Sequence, residues 1–526
     1  MTVPSNSPDQ LPGLGDLTLQ MIVCILTVGW GTYLIWLGVY RLYIHPLAKV
    51  PGPRMAAVTR WYGLYYDVWL GGQYFLKVEE LHKQYGPIVR IKPNEVHCND
   101  PEFVEVLFTG PLWKRDKDPW LPRAMAVPLA AGGTISHDLH RSRRAPLGPY
   151  FSKQSVRKQE VILQDTLEKL LRRFEEHRNT GTVVTLSEAF AAAAADIVTT
   201  FSFGKSTNSV EKKDFNGPFF QAIDASFRLS HITANFGWVR AFLRSPPPQI
   251  VTWITPALAP LFELHQQWKS QIRDAKAPTE KQVTTIFDQI MWAKLSPLEK
   301  RSKRLHQEAE LIFLAGFSTT AATSSMLTFE LLANPGKMNK LRAELLQALP
   351  HTDSPLSLSE LEKLPYLSAV IQEGIRLHPG GALRMQRISP DKPLIYTDPR
   401  TGTTTTFPAG TSISMDAPSI NKNPELFPNP SEFVPERWLQ SPHLSRYLLT
   451  FSKGTRICLG INLAWGMLYY FIAGVFRNYG PPTGTDTSFP TIELYETERK
   501  KDVDTVAEFV IPVAEKESKG IRVLFR

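Results

Sequence analysis

FSKGTRICLG, residues 451–460, is the segment from which the architecture of the whole chain can be inferred. It places one cysteine, Cys458, between Gly454 and Gly460, with Arg456 two residues before it. A thiolate is a metal ligand, and glycines let the backbone turn and approach another group closely. A helix that begins near Leu459 would aim its N–H groups at the sulfur. The alternative interpretation is a buried structural cysteine in a glycine-containing loop.

Length and composition narrow the class of protein around this segment. The chain has 526 residues, 43% hydrophobic and 21% charged, so a disordered chain is excluded and three or four domains are expected. A net charge of +9 is too dilute to indicate a nucleic-acid-binding protein. The three cysteines (Cys24, Cys98 and Cys458) cannot form a disulfide framework or a multi-cysteine metal cluster, which favours a reducing compartment.

The N-terminal region predicts a membrane anchor. Residues 17–40 are uncharged, and a helix of that length is about 36 Å long, enough to span a bilayer core. Basic residues follow the span and not one precedes it, so the C-terminal side is expected in the cytosol. The alternative, a cleaved signal peptide, lacks a basic start and a small-residue cleavage site. We therefore expect a lumenal tail (1–16), an anchor (17–40), a proline-rich hinge (41–53) and a body (54–526).

Periodicity along the body predicts mostly helices. Helical patterns cover 76–85, much of 155–335 including a long helix over 304–332, and 357–377. Prolines divide 244–260 into a loop or several short helices. Residues 88–91 and 95–98 read as two short strands, and 390–440 as strands and turns.

The cysteine segment matches F-x-x-G-x-R-x-C-x-G and closely resembles the haem-binding signature of the cytochrome P450 family. The resemblance implies that Cys458 is the proximal thiolate ligand of a haem b iron, and that Arg456 meets a haem propionate. It also implies a mainly α fold with small β-sheets, in which one large helical haem domain follows a single transmembrane helix. The several domains expected from length are then replaced by one.

The resemblance extends to residues upstream. The family's E-x-x-R motif is found at Glu373 and Arg376, and Glu373 lies 85 residues before Cys458. The arginine that completes this group in the family corresponds to Arg437. These three residues are expected to form a buried ion network that serves folding and takes no part in chemistry.

A second match lies on a predicted helix, where His140 and Arg144 share one face at i, i+4 and are implied to lie over the haem propionates. Arg387 is a weaker candidate for the same role. Arg141 and Arg143 would project elsewhere, either to dock an acidic electron donor or as a solvated basic face.

The family's oxygen-activating helix corresponds to residues 315–320. Thr319 is implied to organise protons for O–O cleavage, and small residues at 315 and 316 would leave room for oxygen. The usual acid position holds Ser318, which can relay a proton through water but is no proton reservoir at pH 7. Glu308 and Glu310 are too far away for direct transfer. Protons then come through Ser318 and water, from a substrate group, or the chemistry is not plain hydroxylation.

The implied activity is that of a monooxygenase in the endoplasmic reticulum membrane, similar to filamentous-fungal microsomal members and to the trichodiene-oxygenase-type group. NADPH–cytochrome P450 reductase, with cytochrome b5 as a candidate second donor, would supply electrons to oxidise a small hydrophobic terpenoid or other secondary metabolite. A haem-thiolate isomerase or dehydratase, and a non-enzymatic haem- or lipid-binding protein, remain alternatives. Candidate substrate loops are 110–136, 216–256 and 379–385, and candidate pocket walls are Phe236, Trp238, Phe313 and Phe317.

Overall fold

A 31-residue helix, Ser302–Leu332, runs through the middle of the protein and confirms the long helix predicted over 304–332. We call it the central helix. It packs most extensively against the alanine-rich helix Leu186–Phe203, which is almost fully buried. Small residues allow the two to lie close, since a Cβ at Gly316 would come within 2.8 Å of the Val198 side chain.

The computed structural model describes residues 19–243, 245–275, 285–351, 355–381, 383–481 and 489–526. The predicted lumenal tail, 1–16, lies outside them. Most of the described chain is helical, as predicted, with small sheets. The α-helices up to and including the central one are Leu19–Val39, Arg54–Val58, Trp61–Leu64, Tyr74–Tyr85, Val104–Leu107, Trp120–Ala124, His137–Arg144, Leu147–Tyr150, Lys153–Lys158, Glu160–Thr180, Leu186–Phe203, Gly217–Phe227, Ser230–Asn235, Gly237–Leu243, Pro248–Ile254, Ala259–Asp274, Ile286–Trp292 and Ser302–Leu332.

One prediction for the helices after the central helix is wrong. The continuous helix predicted over 357–377 is divided at Pro365, because proline lacks the N–H that would continue the first segment. The described part of the region, residues 245–260, contains short helices, as predicted. The α-helices after the central one are Pro335–Ala348, Leu358–Leu361, Pro365–Leu377, Ala417–Asn421, Glu436–Gln440 and Ile461–Asn478.

The largest sheet has four strands and includes both strands predicted near residue 90. Its order is Ile88–Lys92, Glu95–Cys98, Ser412–Met415 and Met385–Ile388, with the two middle strands parallel. The smaller sheets pair Val184–Thr185 and Ile492–Leu494 with Arg522–Phe525, Leu394–Thr397 with Thr404–Phe407, and Ala507–Phe509 with Ile511–Val513.

The N-terminal helix differs from every other long apolar helix in its exposure. The apolar segment Leu19–Ile44 is 26 residues long, long enough to cross a membrane, and its most apolar 18-residue window is 0% buried. The other two helices of comparable length and hydropathy, Leu186–Phe203 and the central helix, lie largely inside the body. The predicted hinge is packed onto the body, because Arg90 donates hydrogen bonds to the carbonyls of Arg41 and Leu47.

Candidate active site

The cysteine segment forms a tight loop ahead of the helix Ile461–Asn478. The Cys458 N–H donates to the Phe451 carbonyl at 2.9 Å and closes the loop. Gly454 has φ +66°, and a Cβ there would lie 2.2 Å from the Thr109 carbonyl oxygen. No side chain fits that position, so Gly454 is required for the close backbone contact as well as for the turn.

Cys458 faces a cavity of about 400 Å³ inside the body. The residue is exposed to that cavity. Burial raises the pKa of the Cys458 thiol, and the Gly460 N–H and the Arg144 guanidinium oppose that rise. The arrangement favours a thiolate once a metal cation shares the cavity.

The central helix supplies another wall of the same cavity. Ala315, Gly316 and Thr319 line it, and the Thr319 hydroxyl donates to the Ala315 carbonyl at 2.8 Å. Ser318 is buried, with 7% exposure, and does not line the cavity. The structure therefore brings Thr319 together with Cys458 and places Ser318 elsewhere.

Gly380 contacts Thr319 directly, a contact that the sequence reasoning did not anticipate. A Cβ at Gly380 would lie 2.5 Å from the Thr319 carbonyl oxygen and 2.8 Å from its Cβ. In the sequence, only the position of Gly380 just after the E-x-x-R helix points to it, because residues 379–385 are predicted only as a substrate loop. The backbone at 380 fixes where Thr319 lies.

Four cationic side chains converge on the cavity: Lys117, Arg144, Arg387 and Arg456. Burial lowers the pKa of all four, to about 10 for Arg456. Repulsion between neighbouring cations adds to this effect for Lys117 and for Arg387, whose pKa falls to about 9. Within the described chain, none of them forms an ion pair with a carboxylate. Such a cluster is stabilised when anionic groups enter the cavity.

His140 lies beside this cluster with 4% exposure. Burial, followed by the charges of Arg456 and Lys117, lowers the pKa of His140 to about 2. The imidazole is therefore neutral at pH 7 and offers hydrogen bonds without charge. The sequence does not single out Lys117, because it lies in a loop and belongs to no motif.

Comparison with known proteins identifies the family. The family model for cytochrome P450 matches residues 51–495. The chain belongs to the cytochrome P450 family. Cytochrome P450 monooxygenase tpcC of Cochliobolus heterostrophus is 39% identical over 97% of this chain and 98% of its own length. Cytochrome P450 monooxygenase astB of Talaromyces wortmannii is 38% identical over 97% and 99%, and tryptophan 6-hydroxylase fscE of Fusarium equiseti is 35% identical over 93% and 94%. The protein is accordingly an oxidoreductase of the P450 monooxygenase type.

The cavity of this P450 fits haem. It offers one thiol for the iron and, for the two propionates, a cluster of cations that form no ion pair with any carboxylate of the described residues. We assign Cys458 to the iron and Arg144, Arg387, Arg456 and Lys117 to the propionate side. Arg456 is held rigidly there, since its guanidinium also donates to the carbonyls of Arg115, Thr134 and Ile135.

The predicted ion network lies behind the cysteine loop. The Glu373 carboxylate accepts two hydrogen bonds from Arg376, at 2.9 and 2.8 Å, and one from Arg437 at 3.1 Å. The Trp438 indole N–H and the Val434 N–H complete its shell, both at 2.9 Å. Both oxygens of the Glu373 carboxylate accept their hydrogen bonds from groups of the protein itself. The network therefore serves the fold, as predicted.

Arg143 does not project to the surface as the sequence reasoning expected. It is buried and forms two hydrogen bonds with Glu299, at 2.6 and 3.0 Å, and one with the Thr134 hydroxyl at 2.9 Å. The helix packs on the side that carries Arg143, which the i, i+4 pattern alone does not reveal. Arg141 is exposed and remains a candidate docking residue.

The four aromatic side chains proposed as pocket walls do not line the cavity. Phe313 and Phe317 are fully buried in the main core, where they contact Phe219 and Phe220. Phe236 and Trp238 lie near the surface, and Trp238 is 73% exposed. Segments 110–136 and 379–385 do contribute cavity residues, whereas the described part of 216–256 contributes none.

Replacing Thr319 by valine is expected to lower product formed per NADPH at least about tenfold, with more hydrogen peroxide released. The hydroxyl is lost at the cavity wall, and a positioned proton donor or relay typically contributes about 10²–10⁴-fold. Ser318→Ala is the matched control on the same helix and should change coupling by less than about twofold, since Ser318 does not line the cavity. Equal losses in the two variants would contradict the assignment to Thr319.

Gly380→Ala should resemble Thr319→Val in coupling. The added methyl would collide with the Thr319 backbone and move its hydroxyl. Gly381→Ala is the control, because a Cβ there has its nearest neighbour, the Val510 carbonyl oxygen, 4.0 Å away. NADPH consumption, peroxide and product are measured together, and normal coupling in Gly380→Ala would show that the contact is not needed.

Proposed function

We propose that this P450 is a membrane-anchored monooxygenase that inserts one oxygen atom from O₂ into a small hydrophobic substrate. The observation that carries the proposal is one cavity that is lined by Cys458, by Thr319 and by several apolar side chains. The bound haem supplies the redox chemistry: R–H + O₂ + 2 e⁻ + 2 H⁺ → R–OH + H₂O.

The side chains have separate tasks in this reaction. Cys458 ligates the iron through its thiolate, and the cysteine loop holds the sulfur in place. Arg144, Arg387 and Arg456 hold the haem carboxylates, with neutral His140 beside them as a hydrogen-bonding group. Thr319 receives and passes protons at its hydroxyl. Ser318 is assigned no direct proton transfer, and water is left to connect Thr319 with solvent.

The substrate is proposed to be largely apolar. The apolar part of the cavity lining includes Leu121, Met125, Leu311, Leu383 and Met385. Such a wall suits a terpenoid or another fungal secondary metabolite with few polar groups. Because one relative is named tryptophan 6-hydroxylase, indoles are a reasonable second class to test.

Electrons are proposed to come from NADPH through a separate cytochrome P450 reductase, with cytochrome b5 as a candidate second donor. The exposed Arg141 is a candidate contact for the donor's acidic surface. We place the protein in the endoplasmic reticulum membrane as a single-pass protein, with the tail 1–16 in the lumen. The anchor 17–40, the hinge 41–53 and the cytosolic haem domain 54–526 follow.

A haem-thiolate isomerase or dehydratase is the second candidate, and Ser318 at the usual acid position is the observation that favours it. An enzyme of that kind would need no external electrons. A non-enzymatic haem- or lipid-binding protein would show little turnover with any small molecule.

Deletion of the gene in the source organism tests the proposed function. We expect a less oxidised precursor to accumulate. That precursor should be converted by the purified enzyme only when NADPH and the reductase are both present. Conversion without NADPH would support the isomerase or dehydratase instead.

A further inference from the structure

A segment of irregular backbone, residues 129–135, forms part of the cavity wall. It contains no helix or strand, yet Ala130, Ala131 and Thr134 are at most 4% exposed. Ala131 and Gly132 line the cavity. Turn hydrogen bonds within the segment and one from the Lys117 N–H to the Ile135 carbonyl hold part of its backbone. Side chains from elsewhere bind other backbone groups that these bonds leave unpaired.

On its amide side, the segment is held by two adjacent residues of the central helix. The Leu129 N–H donates to Gln307 Oε1 at 2.9 Å, and the Ala131 N–H donates to Glu308 Oε2 at 2.9 Å. Glu308 is 1% exposed and itself lines the cavity, on the same helix face as Thr319.

On its carbonyl side, the segment is held by cations assigned to the haem carboxylates. Lys117 donates to the Gly132 carbonyl at 2.6 Å, and Arg456 donates to the carbonyls of Thr134 and Ile135 at 2.7 and 2.5 Å. The carbonyl groups of the segment are therefore bound by cations of the haem pocket, whereas its N–H groups are bound by side chains of the central helix.

Charged contacts hold the Glu308 carboxylate in place. Arg304 donates a hydrogen bond to the Glu308 carboxylate at 2.8 Å and lies 3.4 Å from the Glu299 carboxylate. Arg143 in turn donates two hydrogen bonds to Glu299. Arg143 also donates to the Thr134 hydroxyl. This chain of four charged side chains, three buried and Glu299 half-buried, therefore begins and ends on segment 129–135.

The segment and the central helix are already in contact. A Cβ at Gly132 would come within 2.7 Å of Leu311 Cδ2. We propose that Glu308 is a positioning residue that holds segment 129–135 against the central helix and thereby sets the size of the substrate chamber. This inference rests on the proposed function, because the chamber is the one that holds haem and substrate.

Binding of nitrogenous haem ligands tests the proposal without a known substrate. Imidazole is small, and clotrimazole is bulky; both are titrated optically into the full-length, haem-loaded enzyme. For Glu308→Ala we expect clotrimazole to bind at least about fivefold more tightly, and imidazole to change by less than about twofold, because a released wall enlarges the chamber. Glu308→Gln keeps an oxygen for the Ala131 N–H and should retain the wild-type ratio of affinities. Glu310→Ala, the same change on the same helix away from the cavity, should also retain it.

The outcomes separate the inference from the function. An unchanged ratio in Glu308→Ala, or an equal shift in Glu308→Gln or Glu310→Ala, would overturn the role of the Ala131 contact. If Glu308→Ala does not accumulate with haem, the same titrations are made with Gln307→Ala. That variant removes the hydrogen bond from the Leu129 N–H and leaves Arg304 paired with Glu308. We then expect a shift of about two- to threefold, and no shift would overturn the proposal. Failure of the wild-type enzyme to bind either azole would count against the proposed function itself.

Discussion

Cys458→Ser is expected to abolish the red-shifted Soret band of the reduced, carbon monoxide-bound protein and to reduce product formation to background. That band reports thiolate ligation, and a serine hydroxyl does not replace the thiolate as an electron-rich ligand. Cys458 is the cysteine exposed to the cavity, whereas Cys98 is 1% exposed in a strand of the largest sheet.

Cys98→Ser is the matched control for this prediction, since it makes the same chemical change outside the cavity. It should keep both the band and the activity. Persistence of the band in Cys458→Ser would show that another residue ligates the iron.

Glu373→Ala is expected to yield little or no folded, haem-containing protein. The substitution leaves the guanidinium groups of Arg376 and Arg437 buried without their carboxylate. Breaking a buried pair in this way typically costs about 3–5 kcal/mol, a large part of the roughly 5–15 kcal/mol that stabilises a domain. Haem content per protein and the thermal midpoint of unfolding measure the effect.

The control for Glu373→Ala is Glu362→Ala. Glu362 also pairs with two cations, Lys153 and Arg157, but those lie at the surface. Its loss should cost no more than about 1 kcal/mol. Normal haem content and an unchanged midpoint in Glu373→Ala would mean that the network is dispensable for folding.

The sequence was sufficient for the residues that belong to short motifs. The resemblance of these motifs to those of the cytochrome P450 family implies the places of Cys458, the Glu373 network, His140, Arg144 and Thr319. The long central helix follows from its hydrophobic pattern, and its length left little ambiguity.

Contacts between distant parts of the chain could not be predicted in this way. Gly380 against Thr319, Lys117 in the cavity and Glu308 against Ala131 each join segments that are far apart in sequence. The sequence contains no periodic signal for such pairs, because they arise only when several elements pack together.

The predictions for Phe313, Phe317 and Arg143 were wrong for the same reason, because each depends on which distant part of the chain covers one face of a helix. Phe313 and Phe317 lie on the central helix, but on the side that faces the core. Arg143 is one residue away from Arg144 and points to Glu299 instead of solvent. The same helix has different residues facing the cavity, the core and the solvent. The amino-acid sequence alone does not show which other element packs against each of these faces.

Isotope labelling tests the central claim, that this P450 inserts oxygen from O₂ into its substrate. The purified enzyme, the reductase and NADPH are incubated with the precursor under ¹⁸O₂, and the product is examined by mass spectrometry. We predict one ¹⁸O atom per oxidation in the product, with none incorporated from labelled water. A product that forms without ¹⁸O, or that forms without NADPH, would contradict the claim.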